Sequence, residues 1–141
     1  MAVYDASTNN TSNRNNRRFR DIDLDFGRNS TTNDIVKIED VNAVKRSVKN
    51  LVQTNFYERP FHPELGCGVR ELLIENFTPM TGIFIRRKIE EVLTNYEPRI
   101  TLEQVAVDDD QDGHRLVVDI YFYVQGVTDP IQVTTFLQRL R

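Results

Sequence analysis

The sequence predicts an α+β domain: helices packed on a small antiparallel hairpin or meander, with an extended N-terminal arm. Three observations carry this. Residues 40–54 and 80–95 space their apolar side chains three and four apart, the period of one helical face. Leu116, Val118, Ile120, Phe122 and Val124 alternate with Val117, Asp119, Tyr121 and Tyr123, the period of a strand. Between the second helical stretch and the alternating ones stands Pro98, which cannot continue a helix.

Taken in order, residues 1–18 are rich in Asn, Ser, Thr and Arg and cannot bury enough apolar area to offset their ordering entropy alone. Asp21-Ile22-Asp23-Leu24-Asp25-Phe26 alternates strictly and reads as a short half-buried strand ended by Gly27. Asn29 to Asn33 reads as loop. Asp40 is the expected N-cap of the first helix, whose stripe is Val41, Val44, Val48, Leu51 and Val52. Residues 55–68 hold Pro60, Pro63, Gly66 and Gly68 and exclude a regular helix, while Val69 to Ile74 suits a short one. Thr78 or Thr81 caps the next helix, with Ile85, Ile89, Val92, Leu93 and Tyr96 on one face. Ile100 to Val107 reads as a strand with a bulge near Gln104, and Asp108 to Gly113 as a turn. Ile131 to Leu140 fits either period, and the strand reading is preferred. Residues 1–38 are thus expected as an extended polar arm with a short strand, and 39–141 as the α+β domain.

Composition narrows function. The chain has 141 residues, 39% hydrophobic, with a net charge of −3, and its mean hydropathy is −0.48. Arg14, Arg17, Arg18 and Arg20 against Asp5 make residues 1–20 basic by +3, so the body sums to −6, unlike a general nucleic-acid binder. One cysteine, Cys67, excludes an internal disulfide framework and argues against structural zinc. No window approaches the roughly 18 apolar residues of a membrane span.

Several constellations invite a chemical reading. Asp108, Asp110, Asp112, Gly113 and Asp119 have the spacing of a calcium-binding loop, but both flanks read as strands and the twelfth position is Asp rather than Glu. A solvated turn is the better account. Cys67 and His62 are close in sequence, yet no third residue orients a base, so a packing role between glycines is expected. Glu64, Glu71, Glu75 and Glu97 could supply a glycosidase pair by residue type alone, without Trp for sugar stacking. Arg86-Arg87-Lys88 could touch nucleic acid, but acids follow within two residues, as on a solvated helix face. No cofactor is expected.

Two stiff turn blocks remain: Glu58-Arg59-Pro60-Phe61-His62-Pro63-Glu64-Leu65-Gly66 and Tyr96-Glu97-Pro98-Arg99-Ile100. Pro98 fixes its own φ and biases Glu97 to an extended conformation. Glu97 and Arg99 are then either displayed to a partner at low entropic cost or paired internally with Arg59 or Glu64.

These blocks carry a family resemblance. With Arg59-Pro60-Phe61, Pro63-Glu64-Leu65-Gly66-Cys67, Leu72-Leu73-Ile74-Glu75-Asn76 and Asn95-Tyr96-Glu97-Pro98-Arg99-Ile100 in this order, residues 40 to 125 resemble the phage-tail baseplate wedge proteins that start the contractile sheath. The resemblance implies a non-enzymatic virion protein in the tail baseplate, assembled in the host cytoplasm, in multiple copies around the tail axis. It implies docking on the helical core bundle of other wedge proteins through Glu97, Pro98 and Arg99, with Arg59, Pro60, Phe61 and Glu64 beside them. It also implies strand exchange with the tail sheath protein, and no nucleic-acid or membrane partner. Some family members carry a lysozyme label, so a peptidoglycan hydrolase of the tail is the alternative.

Overall fold

The computed structural model describes residues 19–74, 78–110 and 114–138. The arm read over residues 1–18 and the carboxylate of Asp112 therefore lie outside the described residues. The described residues fall into two compact units that part between Ala43 and Val44.

In the first unit, β1 (Arg20–Ile22) pairs antiparallel with β2 (Lys37–Glu39), with Asp21 opposite Ile38. β1 is shorter than the alternation suggested. The chain turns at Leu24 and Asp25, where the Phe26 amide donates to the Asp23 carbonyl and Phe26 takes a φ of 51°. Ile22, Leu24 and Phe26 are exposed rather than half-buried. A two-stranded ladder has no second layer of its own to cover an apolar face. β2, three residues long, has no pattern from which sequence could read it. The Asn29–Asn33 loop is as expected: the Asn29 side chain accepts from the Thr31 amide at 2.9 Å.

Helix α1 (Asp40–Gln53) buries Val44, Val48, Leu51 and Val52 as its stripe requires, together with Ala43, while Val41 is only partly covered. Asp40 begins the helix with a φ of 54°, and its amide donates to the Phe19 carbonyl at 2.6 Å.

The second unit continues with α2 (Val69–Leu72), two residues shorter than expected, and α3 (Pro79–Tyr96). Both threonines act at the start of α3. Thr78 accepts from the Thr81 amide, and the Thr81 hydroxyl accepts from the Thr78 amide, a reciprocal capping box with Pro79 at the first helical position. α3 buries Ile85, Ile89, Val92 and Leu93 and packs on the strand that follows it.

β3 (Ile100–Asp110), β4 (Arg115–Val124) and β5 (Ile131–Gln138) form an antiparallel meander in the order β3-β4-β5. Its ladder shifts register between Leu102 and Gln104, the expected bulge. β3 runs further than expected. Asp108, Asp109 and Asp110 pair with Val117, Leu116 and Arg115, because the strong alternation of β4 offers a ladder that long. The turn read over Asp108 to Gly113 therefore does not include Asp108 to Asp110, and residues 111–113 lie outside the described residues. β5 is a strand: Ile131, Val133, Thr135 and Leu137 are buried, and Phe136, which a helix would have turned inward with Val133 and Leu137, is exposed. Both β3 and β5 are edge strands.

One core residue is out of character. Thr135 is 1% exposed, and its hydroxyl has no hydrogen-bond partner among the described residues. An unsatisfied buried hydroxyl costs about 1–3 kcal/mol. Thr135→Val is therefore expected to raise stability by about 1 kcal/mol, read as a higher urea midpoint at unchanged slope.

Candidate docking site

The corner between α3 and β3 is set by backbone bonds. The Glu97 amide closes the last turn of α3 on the Leu93 carbonyl at 3.1 Å, and the Ile100 amide returns to the Glu97 carbonyl at 3.3 Å. Gln125, just past β4, reaches across twice. Its amide donates to the Arg99 carbonyl at 3.0 Å, and its side-chain Nε2 to the Pro98 carbonyl at 2.9 Å. Pro98 is exposed at the tip.

Glu97 is not displayed. It is 2% exposed, and its carboxylate points inward. Ser47 Oγ donates to Oε2 at 2.6 Å. Arg99 closes a bidentate fork, Nε to Oε1 and Nη2 to Oε2, the second at 2.6 Å. Burial pushes the Glu97 carboxyl up, but the hydrogen bonds from Arg99 and Ser47 and the Arg99 charge outweigh it and hold its pKa below the usual value. The fork fixes the plane of the Arg99 guanidinium, whose side chain is 28% exposed.

The other block lies beside this corner. Residues 55–66 form a closed loop, with the Tyr57 amide on the Pro63 carbonyl at 2.9 Å and the Cys67 amide on the Thr54 carbonyl at 2.8 Å. Tyr96, next to Glu97, donates from its hydroxyl to the Glu64 carbonyl at 3.4 Å, which brings the two blocks together. Arg59, Pro60, Phe61 and Glu64 are all exposed on this loop. Phe61 is 95% exposed at a φ of 73° and Tyr57 85% exposed at 66°. Aromatic residues held left-handed and in water are unusual.

Sequence reasoning missed Ser47, Tyr57 and Gln125. Ser47 had a signal: it stands three after Val44 and four before Leu51, a hydroxyl at the margin of an apolar stripe. Gln125 had none, because only the fold carries it to Pro98.

The catalytic readings find little support in the geometry. Burial drives the Cys67 thiol up to about 12, leaving almost no thiolate at neutral pH. His62 lies exposed, 3.2 Å from Glu64. A glycosidase acid needs a raised pKa, whereas Glu97 is held low by its partners, and Glu64 by its own backbone amide and His62. Asp119, of the calcium-like spacing, accepts from Thr134 and Gln132, and Asp110 pairs with Arg115 at 2.8 Å. Among the described residues no group of three or more His, Cys, Asp or Glu side chains could hold a metal, and no helix is long and apolar enough to cross a membrane.

A small α+β domain with a stiff, internally braced corner, a rigid aromatic loop and open sheet edges belongs to the class built to bind other chains. The comparisons say which. Residues 39–128 match the family described as baseplate wedge protein gp25. The baseplate wedge protein gp25 of Enterobacteria phage T4 is 34% identical over 117 residues, 83% of this chain and 88% of that protein. A chain of the anti-feeding prophage baseplate, solved by cryo-electron microscopy, matches with a TM-score of 0.68 and 26% identity, covering 79% of this chain and 90% of that one. A Geobacter sulfurreducens structure described as a tail lysozyme shares the fold, with a TM-score of 0.64 and 23% identity over 70% of this chain and 89% of its own. The chain belongs to the baseplate wedge protein gp25 family, the structural proteins of contractile-tail baseplates.

Proposed function

We propose that the chain is a non-enzymatic connector of the tail baseplate, assembled in the host cytoplasm, which docks on the helical core bundle of other wedge proteins through Arg99 and starts the sheath by strand pairing. The observation that carries the docking role is the fork of Arg99 on a buried carboxylate. It holds a long, flexible side chain in one orientation before any partner arrives, which lowers the ordering cost of binding. Pro98, Arg59, Pro60, Phe61 and Glu64 form the adjoining contact surface. Repeated copies around the tail axis supply avidity, so each contact can be modest.

Strand pairing is favoured at β5. The β3 edge is interrupted by its bulge and carries Glu103 and Asp108 to Asp110, features that discourage an incoming strand. β5 is regular over eight residues and contains no charged side chain.

The test is complementation of phage particles. Arg99→Lys keeps a cation beside Glu97 but loses the planar fork, and is expected to block incorporation into wedges. Thr134→Lys, on the exposed face of β5, is expected to allow wedges but stop the sheath. Normal incorporation of Arg99→Lys would sink the docking role. Clearing of cell-wall substrate in a zymogram, lost on Glu64→Gln or Glu97→Gln, would instead make the chain a hydrolase.

A further inference from the structure

Helix α3 has a second face that neither the core nor the Arg99 corner uses. Thr81, Ile85, Ile89, Val92 and Leu93 point into the domain. At 100° per residue, Met80, Ile83, Phe84 and Arg87 lie on the opposite side, spaced i, i+3, i+4, i+7. Met80 is 59% exposed, Ile83 53% and Phe84 51%. A strip of three large apolar side chains in water, at the spacing of a helix interface, marks an interaction surface. Phe84 lies about 20 Å and Arg87 about 15 Å along the helix from Glu97, so the strip is separate from the corner.

Charge indicates what covers it. From Pro79 to Ile89 the helix has three cations, Arg86, Arg87 and Lys88, and no acid. Arg86 is taken by Glu90 at 2.8 Å, and Lys88 stands 5.9 Å over the Phe56 ring. Arg87 is exposed at the end of the strip, with Glu91 one turn beyond. A second copy is poorly matched. In an antiparallel contact centred on Ile83 and Phe84, Arg87 of one copy would face Met80 of the other, and the first turn of α3 has no acid to offer. The chain's own N-terminal arm is basic. Nucleic acid would leave the apolar strip in water.

We infer that the outer face of α3 receives an amphipathic helix of another protein, with apolar anchors on Met80, Ile83 and Phe84 and a carboxylate at the level of Arg87. This holds whether or not the Arg99 corner docks.

The full chain is titrated by fluorescence anisotropy with two synthetic amphipathic helices about 20 residues long, alike in their leucines and flanked by Glu in one and by Lys in the other. Saturable binding of the Glu-flanked peptide is expected, with the Lys-flanked one at least about tenfold weaker. Ile83→Asp, a surface change that leaves the circular dichroism and melting temperature near wild type, is expected to weaken binding at least about tenfold. Arg87→Glu is expected to reverse the preference between the peptides. Four results would each overturn the inference: no saturable binding of the Glu-flanked peptide, equal binding of both, tighter binding of a DNA duplex, or self-association that Ile83→Asp abolishes.

Discussion

Arg99→Ala is expected to destabilise the domain by about 2–4 kcal/mol at neutral pH, and the loss is expected to shrink on acidification. The carboxylate of Glu97 is buried and relies on Arg99 for its charge and two of its hydrogen bonds. With the Arg99 side chain removed, only the Ser47 hydroxyl and the backbone amide of residue 99 remain to oppose the burial. The sign follows from where Glu97 titrates. In the wild type its folded pKa is depressed, so its contribution is present above the unfolded value of about 4.3 and is lost as pH falls through the folded pKa. In the variant the Arg99 charge and fork are gone, so the folded pKa of Glu97 lies higher than in the wild type. The variant therefore loses Glu97's contribution at neutral pH, and the two proteins become alike once the carboxyl is protonated in both. The gap between the two proteins therefore narrows from pH 7 toward pH 3. Urea denaturation across that range reads it directly. A gap that stays constant would mean that Arg99 does not govern Glu97. For this reason Arg99→Lys, not Arg99→Ala, is the clean probe of docking.

Gly66→Ala is expected to cost about 2–4 kcal/mol, a fall of roughly 10–20 °C in melting temperature. A Cβ at this position would lie 2.5 Å from the Asn55 carbonyl carbon, 2.6 Å from its oxygen and 2.8 Å from the Phe56 nitrogen. All three are backbone atoms and cannot swing away. The clash sits where the loop closes, beside the Cys67–Thr54 bond, so the variant should also disturb the display of Arg59, Pro60 and Phe61. Gly126→Ala is the control. Its Cβ would meet nothing, and only its φ of 87° is unfavourable, for a loss of about 1 kcal/mol. Equal losses at the two positions would show that backbone conformation, not the close approach at Asn55, makes Gly66 necessary.

Much of the fold was legible because it rests on local periodicity. The stripes of α1 and α3, the Thr78 and Thr81 cap, the Pro98 break, the bulge near Gln104 and the alternation of β4 depend only on neighbours along the chain. Where the reading fell short or left two periods open, a partner distant in sequence had decided. β3 runs on through Asp110 because β4 is there to pair with it, and β5 is a strand because the same ladder recruits it.

The site divides the same way. Amino-acid order alone determined that a proline-stiffened turn carries an acid and a base, that a second stiff block precedes it, and that both lie in an α+β chain. Which way Glu97 faces was decided only by packing. Its orientation depends on Ser47, fifty residues upstream, and on Gln125, beyond the hairpin, and a contact made by chain closure leaves no periodic trace in sequence. The buried acid and the half-exposed base are therefore a property of the tertiary structure, because burial and a fixed bidentate partner together, and neither alone, settle where such a charge can reside.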